Sequence, residues 1–260
     1  MNYRAVVVAA VVLACSFLPA LAAQGGDAET LKQANNPLAN FRALNFQNYY
    51  ASKLFGLPDD TSNTLWLRYA QPVGRWLIRA SLPLNTFPVG GGATESGLGD
   101  FNIFGAYLLN KPDAPTSFGV GPLVALPTAS DDALGTDKYQ LGAAAVYFNA
   151  KSPQLQYGGL VTYQTDVAGS SNAADVSLMA LQPFAIWQLG GGTYLRSAPI
   201  WIVDFENERY NVPIGLGIGK VVKVGATVFN MFIEPQFTAL NDGDRNPAFQ
   251  TFIGLNLQFL

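Results

Sequence analysis

The stretch that decides the fold is AFQTFIGLNLQFL, Ala248–Leu260, on which the sequence ends. Most of the alternate residues from Phe249 to Phe259 are apolar, and most of the residues between them are polar or glycine. A period of two residues is typical of a β-strand with one apolar and one polar face. Left uncovered, such a strand is an edge that invites aggregation. Because closing a sheet into a barrel removes the edge, the stretch predicts the closing strand of a β-barrel.

The composition favours a membrane barrel over a soluble domain. The 260 residues are 49% hydrophobic and only 13% charged, whereas about a quarter of the residues of soluble globular domains are charged. The formal net charge of −3 gives no indication of nucleic-acid binding. Beyond the first 23 residues no apolar run reaches the roughly 18 residues that a membrane helix requires. Membrane crossing would therefore depend on strands.

The first residues predict a secretion signal at 1–23. Arg4 supplies the positive end, an apolar stretch follows, and Ala20–Ala22 forms a small-residue cleavage site. An uncleaved membrane anchor is the alternative for this segment. Cys15 is the single cysteine of the sequence and lies within it, so a disulfide-stapled mini-domain is excluded. We expect residues 24–39 to form a periplasmic N-terminal segment and residues 40–260 to form the barrel; whether 24–39 plugs the lumen is left open.

Strand-forming residues recur in segments that are divided by Gly, Pro, Asn and Asp. Twelve such segments are predicted: 40–50, 64–72, 75–84, 98–110, 116–127, 138–150, 154–167, 176–189, 193–205, 211–223, 225–238 and 247–260. The connections alternate between short ones, such as 151–153, and longer polar ones, such as 85–97 and 128–137. Even strand numbers, short periplasmic turns and longer external loops are typical of bacterial outer-membrane barrels.

The sequence thus predicts an all-β protein, a closed transmembrane antiparallel barrel of about 12 strands, in the outer membrane of a Gram-negative bacterium. Both termini are expected on the periplasmic side. A soluble β-sandwich or lipocalin-like barrel is the rival, but it would carry charge on its exterior, whereas these strand exteriors are nearly free of charge. Eight strands give a filled interior and sixteen to eighteen an open channel, so about twelve predict a narrow lumen.

An Arg or Lys on the lipid face near the bilayer centre costs roughly 2–4 kcal/mol, so charged residues within strands should point inward. The alternation then gives eight candidate lumen-lining residues: Arg79, Asp100, Asn102, Gln156, Asp166, Arg196, Asn230 and Glu234. We expect them to line or gate a path through charge and hydrogen bonding. No metal site and no cofactor are predicted.

The residue types argue against an enzyme. The sequence contains no histidine and, without the signal, no cysteine, which excludes Ser-His and Cys-His nucleophiles and zinc held by either residue. Carboxylate chemistry in the lumen is still possible for four residues: Asp100, Asp166, Asp204 and Glu234. The alternative, which we favour, is ion pairing with three lumenal arginines: Arg68, Arg79 and Arg196.

Several blocks of the sequence resemble a known family. They are NPLANF (36–41), GLGDFNIF (97–104), LPTASDDALGTDKYQLG (126–142), LQPFAIW (181–187) and YNVPIGLGIGKVVKVG (210–225). In this order they are similar to blocks of the bacterial outer-membrane family connected with the MetA pathway of phenol degradation, some members of which carry a neuromedin U-like label. The resemblance runs from about Asn36 to the C-terminus. It implies an outer-membrane barrel and a transporter connected with aromatic-compound catabolism, and it carries over no catalytic residues.

Together these features predict a passive pore for small, hydrophobic or aromatic solutes. A non-conducting structural or adhesive barrel and a lipid-active or hydrolytic barrel are the alternatives. The expected partners are outer-membrane lipids and lipopolysaccharide, the barrel assembly machinery and the small-molecule solute, without nucleic acid. The sequence leaves the oligomeric state and the direction of transport open.

Overall fold

The computed structural model describes residue 31 and residues 33–110 and 114–260. The predicted signal at 1–23 therefore lies outside the described residues. Among the residues that are described, no helix is long and apolar enough to cross a membrane.

One antiparallel sheet contains fifteen strand segments within the described residues. They are β1 (Arg42–Leu54), β2 (Ser62–Val73), β3 (Trp76–Gly90), β4 (Ala93–Leu98), β5 (Phe101–Leu108), β6 (Thr116–Leu126), β7 (Lys138–Asn149), β8 (Leu155–Gly169), β9 (Ser177–Gly190), β10 (Thr193–Ser197), β11 (Trp201–Asp204), β12 (Arg209–Gly215), β13 (Gly217–Val224), β14 (Thr227–Asp242) and β15 (Pro247–Phe259). A short 3-10 helix, Asp132–Leu134, lies in the connection between β6 and β7.

The fifteen segments make a closed barrel of twelve strands. β4 and β5 both pair with β3, β10 and β11 both pair with β9, and β12 and β13 both pair with β14, so each of these couples is one interrupted strand. β15 pairs with β14 on one side and with β1 on the other, where Phe259 lies opposite Arg42. The last strand therefore closes the sheet, and the predicted closed antiparallel barrel of about 12 strands is confirmed.

One predicted loop is wrong. Residues 85–97 were expected to form a long connection, but β3 and β4 continue through most of them and meet at a tight turn. Gly91 and Gly92 form this turn with φ values of 60° and 76°, a conformation that glycine adopts without steric cost and that two-residue hairpins require. Strand formers such as Phe87 and Val89 therefore continue the ladder up to the turn.

Side chains alternate between the two faces of the wall. Trp76 is 40% exposed on the outside while Leu77 beside it is 6% exposed. Ile233 is 46% exposed while Glu234 is fully buried inside. The outer face carries aromatic pairs such as Trp76 and Tyr107, whose ring centroids lie 5.3 Å apart. Both terminal strand ends lie at the end of the barrel that carries the turn between β2 and β3; that this end is periplasmic stays a prediction.

Candidate solute path through the barrel

The described part of the N-terminal segment lies inside the barrel. Ala34 is 3% exposed and Leu38 is 6% exposed. The carbonyl oxygen of Ala34 accepts hydrogen bonds from Asn230 Nδ2 at 3.0 Å and from Gln258 Nε2 at 2.7 Å. Both donors belong to the last two strands, near the end at which the chain enters. Residues 33–39 therefore narrow the lumen at that end.

Apolar side chains of the wall fill the space around this segment. Leu38 packs in one buried cluster, with Leu77, Phe104, Ala106, Leu123, Ala144, Val146 and Phe148. Ala34 packs in a second cluster, with Ile186, Tyr194, Val221, Val228, Phe232 and Phe252. Apolar packing beside the segment therefore narrows the lumen.

The glycines of the GLGIGK stretch make room for this core. A Cβ atom on Gly219 would lie 2.2 Å from Cζ of Tyr194, whose side chain is fully buried. Real Cβ atoms do not approach other heavy atoms this closely, so any side chain at Gly219 would displace the ring of Tyr194. Gly217 and Gly219 sit in β13 and Gly215 ends β12, and none of the three opens a helix as a phosphate-binding loop would.

One ion pair lies in the interior beyond the two apolar clusters. Arg196 Nε lies 2.8 Å from Glu234 Oε2, and the side chains are 12% and 0% exposed. Glu234 Oε1 also accepts hydrogen bonds from the Ala198 backbone N–H and from Gln236 Nε2, each at 2.8 Å. The Arg196 guanidinium stacks 3.5 Å from the ring centre of Phe232. Both carboxylate oxygens of Glu234 are therefore occupied by contacts within the barrel wall.

Two other interior arginines have no carboxylate partner among the described residues. Arg68 is 8% exposed, and one of its Nη atoms donates to the Gln47 side-chain oxygen, while its Nε has no partner. Arg79 stacks 4.4 Å from the ring centre of Phe104, and its buried Nε is also unpaired. Since Ala70 faces Arg79 and Arg68 faces Ser81 across β2 and β3, the two arginines are diagonal neighbours on the inner wall.

A cavity of about 190 Å³ lies between these arginines and the N-terminal segment. Its charged lining consists of Arg68, Arg79 and Arg196. The rest of the wall combines apolar residues, among them Phe104 and Phe184, with Asn and Gln side chains such as Gln182 and Asn256. A second cavity of about 190 Å³ lies on the side of the segment towards the β2–β3 turn. Leu38 contributes to both cavities, so the segment separates two spaces along the lumen.

The eight predicted lumen residues do not form one site. Arg79, Arg196 and Asn230 line the first cavity, and Glu234 lies directly behind Arg196. Asn230 also accepts a hydrogen bond from the Tyr194 hydroxyl. The four others occupy separate positions: Asp100, Asn102, Gln156 and Asp166.

Asp100 and Asp166 belong to the end of the barrel with the longer loops. Asp100 accepts hydrogen bonds from the backbone N–H groups of Thr128, Ala129 and Thr136 and from the Thr136 hydroxyl, so it fixes the connection between β6 and β7. Asp166 lies 3.7 Å from the Lys138 ammonium, which also pairs with Asp175 at 2.8 Å. Both carboxylates thus organise loops.

Asn102 is a diagonal neighbour of Arg79 on the inner wall, whereas Gln156 lies at the start of β8. Asn102 lies opposite Ser81 in β3, on the same face of its strand as the inward-facing Phe104. Gln156 is 3% exposed and accepts a hydrogen bond from Gln188 Nε2 at 3.0 Å near the chain-entry end. Both are on the inner wall, and neither lines the first cavity.

The carboxylates that could have served catalysis do not converge. Glu234 pairs with Arg196, whereas Asp100 and Asp166 hold different loops. Asp204 accepts hydrogen bonds from the backbone N–H groups of Glu206 and Asn207 within its own turn. Within the described ranges, no group of three His, Cys, Asp or Glu residues could hold a metal ion.

The eight predicted lumen residues include three amides but leave out most of those that line the interior. Gln250 donates to Gln236, which in turn donates to Glu234, at 2.7 and 2.8 Å. Gln47 donates to Asn256 at 3.1 Å. The signal was present, because Gln250, Asn256 and Gln258 are on the polar face of the closing strand. Periodicity gave their face, but it could not show which strand each one meets.

The closed twelve-stranded wall, with an apolar exterior and charged residues inside, defines an outer-membrane-type β-barrel. The family profile described as "Putative MetA-pathway of phenol degradation" matches residues 37–250, so the chain belongs to this family. The resemblance noted in the sequence is thereby confirmed. No curated protein sequence matches the chain.

Solved structures of low sequence identity share the fold. An outer membrane channel from Pseudomonas putida F1 is 13% identical, with a TM-score of 0.63 over 84% of this chain and 94% of the channel. The NanC porin is 9% identical, with a TM-score of 0.54 over 84% of this chain and 99% of the porin. At these identities the likeness is one of fold.

Proposed function

We propose that the protein is a narrow passive channel in the outer membrane of a Gram-negative bacterium, and that it carries small hydrophobic or aromatic solutes. The observation that supports this most is the cavity inside the closed wall, in which three arginines and several amides share the lining with apolar and aromatic side chains. The names of its structural neighbours, an outer membrane channel and a porin, agree with this role.

The apolar lining favours solutes that lose little on leaving water. Leu77, Phe104 and Phe184 form apolar parts of the cavity wall, and Leu38 continues the apolar surface into the second cavity. A sugar would have to give up hydrogen bonds to water here, whereas an aromatic ring gains contact with these side chains. The arginines and Asn230 then fix the orientation of the polar end of the solute.

Two further functions stand as alternatives. A non-conducting structural barrel would have the same walls. A hydrolytic barrel would need carboxylates that converge, and the dispersed contacts of Asp100, Asp166 and Glu234 favour transport over catalysis. Outer-membrane lipids and lipopolysaccharide would surround the outer face of the barrel, and the barrel assembly machinery would insert the protein into the membrane.

Flux through reconstituted vesicles tests the proposal. The full-length mature protein is placed in liposomes, and swelling is compared for benzyl alcohol, phenol, glycerol, glycine and glucose against empty liposomes. We expect the protein to add most to the entry of small aromatic solutes and least to that of glucose. Impermeability to every solute would contradict the channel and support the structural barrel, whereas faster entry of glucose than of phenol would contradict the apolar path.

A further inference from the structure

The first cavity is lined by two interior arginines, Arg68 and Arg79, that pair with no carboxylate of the described residues. Among the described residues that line it, every charged side chain is an arginine. Arg196 is neutralised by Glu234 at 2.8 Å, but no carboxylate of the described residues lies within ion-pairing distance of Arg68 or Arg79. Burying a charge is unfavourable unless it is paired, so two neighbouring unpaired guanidinium groups call for an anion.

Both arginines keep hydrogen-bond donors available for such an anion. Arg68 is more than nine-tenths buried and lines the cavity, and its Nε has no hydrogen-bond partner among the described residues. Arg79 donates no hydrogen bond to any described residue and makes only a stacking contact with Phe104. Stacking uses the face of a guanidinium and leaves its N–H groups in the plane, where they match the two oxygens of a carboxylate.

The rest of the cavity selects the body of the ligand. Phe104, Phe184 and Leu77 form apolar walls beside the arginines. An apolar cavity of roughly 150 Å³ accommodates a benzene molecule, and this one measures about 190 Å³. The space therefore fits one aromatic ring with a small substituent, oriented so that the substituent meets Arg68 and Arg79.

We propose that the lumen contains a binding site for a single-ring aromatic carboxylate, with Arg68 and Arg79 holding the carboxylate and the phenylalanine side of the cavity holding the ring. This inference rests on the proposed function and narrows its solute class from aromatic molecules in general to aromatic monoanions. It also gives a reason for the two unpaired charges in a wall otherwise made of amides and apolar side chains.

Binding to the purified protein in detergent micelles tests the site by isothermal titration calorimetry. The probes are benzoate, benzyl alcohol, which keeps the ring without the charge, and acetate, which keeps the charge without the ring. Titrations into empty micelles are subtracted. We expect the wild-type protein to bind benzoate at least about tenfold more tightly than either other probe, because a charge-assisted bidentate contact is worth a factor of ten or more.

Variants assign the contact to the two arginines. Arg79→Gln and Arg68→Gln should each weaken benzoate binding by about tenfold and leave benzyl alcohol binding within about twofold of wild type. Arg209→Gln, at an exposed position where β12 begins, is the matched control and should change neither affinity. Folding of each variant is checked by its migration on gels with and without boiling.

The proposal is overturned if benzoate and benzyl alcohol bind equally well, if acetate binds as tightly as benzoate, or if both arginine variants retain wild-type affinity for benzoate. The comparison of probes needs no variant, so it decides the matter even if the variants fail to assemble. Because binding is measured without a membrane, it is separable from transport. Flux of phenol without benzoate binding would overturn this inference alone, and benzoate binding without any flux would overturn the channel alone.

Discussion

The interior ion pair offers the sharpest test of how the barrel is held together. In Glu234→Gln, the carboxamide oxygen can replace Oε1 and keep the hydrogen bonds from Ala198 and Gln236. The amide NH₂ then faces Arg196 at the position where Oε2 accepted its hydrogen bond at 2.8 Å. A donor thus meets a donor, and a third interior arginine loses its counter-charge.

Removing one partner of a buried ion pair typically costs about 3–5 kcal/mol. We expect about 3 kcal/mol, the lower end of that range, because the Arg196 side chain is 12% exposed and keeps its stacking contact with Phe232. The double variant Arg196→Gln, Glu234→Gln should regain a large part of this loss, since two amides can hydrogen-bond to each other. The coupling free energy between the two positions should therefore be about 2 kcal/mol.

The assay is urea unfolding of the protein in lipid vesicles, followed by tryptophan fluorescence, for wild type, both single variants and the double variant. Asp59→Asn, at an exposed loop position, is the control and should change the free energy of unfolding by less than about 0.5 kcal/mol. A coupling free energy below about 0.5 kcal/mol would refute the reasoning, because the two side chains would then contribute independently.

Three more substitutions test other parts of the molecule. Gly219→Val should lower the free energy of unfolding by at least about 2 kcal/mol in the same urea assay, because its side chain would overlap the buried ring of Tyr194. Gly159→Ala is the control and should be tolerated, because the neighbours of Gly159 lie at ordinary contact distance. Equal stability of the two variants would contradict the packing of Tyr194 against Gly219. Asp100→Ala should expose the 127–137 connection to added protease, because the variant loses four hydrogen bonds to Asp100. The rate of cleavage measures this exposure. An unchanged rate would show that these hydrogen bonds do not order the loop. Ile233→Arg should prevent assembly into vesicles, because an arginine that faces lipid costs roughly 2–4 kcal/mol of membrane stability. Ile233→Leu is the control and should assemble normally. Assembly of both variants would mean that position 233 does not face lipid.

The strands were predictable because strand-forming residues recur between turn residues, and because the two-residue period gives the facing of many of them. The period in Phe249–Phe259 identified the closing strand, and the cost of a charge in lipid indicated an inward Arg79. The pattern of turn residues failed at 85–97, where three consecutive glycines suggested a loop and two of them formed a tight turn.

The site was less predictable because it depends on register and on a segment without periodicity. Arg196 in β10 reaches Glu234 in β14 across β13, and the pairing of β10 with β13 brings the two strands into range. Sequence periodicity assigns a face but not a height along the barrel axis. The position of Ala34 and Leu38 inside the lumen depends on side chains from distant strands, such as Asn230 and Gln258, and no local pattern encodes it.

The proposed channel depends on a lumen that residues 33–39 narrow and that is otherwise passable. The most direct measurement compares single-channel conductance in planar bilayers for the mature wild-type protein and for a variant without residues 33–39, after both have shown the gel migration of a folded barrel. Because Leu38 separates the two cavities, we expect the deletion to join them and to raise the conductance severalfold. Equal conductance of the two proteins, or none from either, would contradict the account.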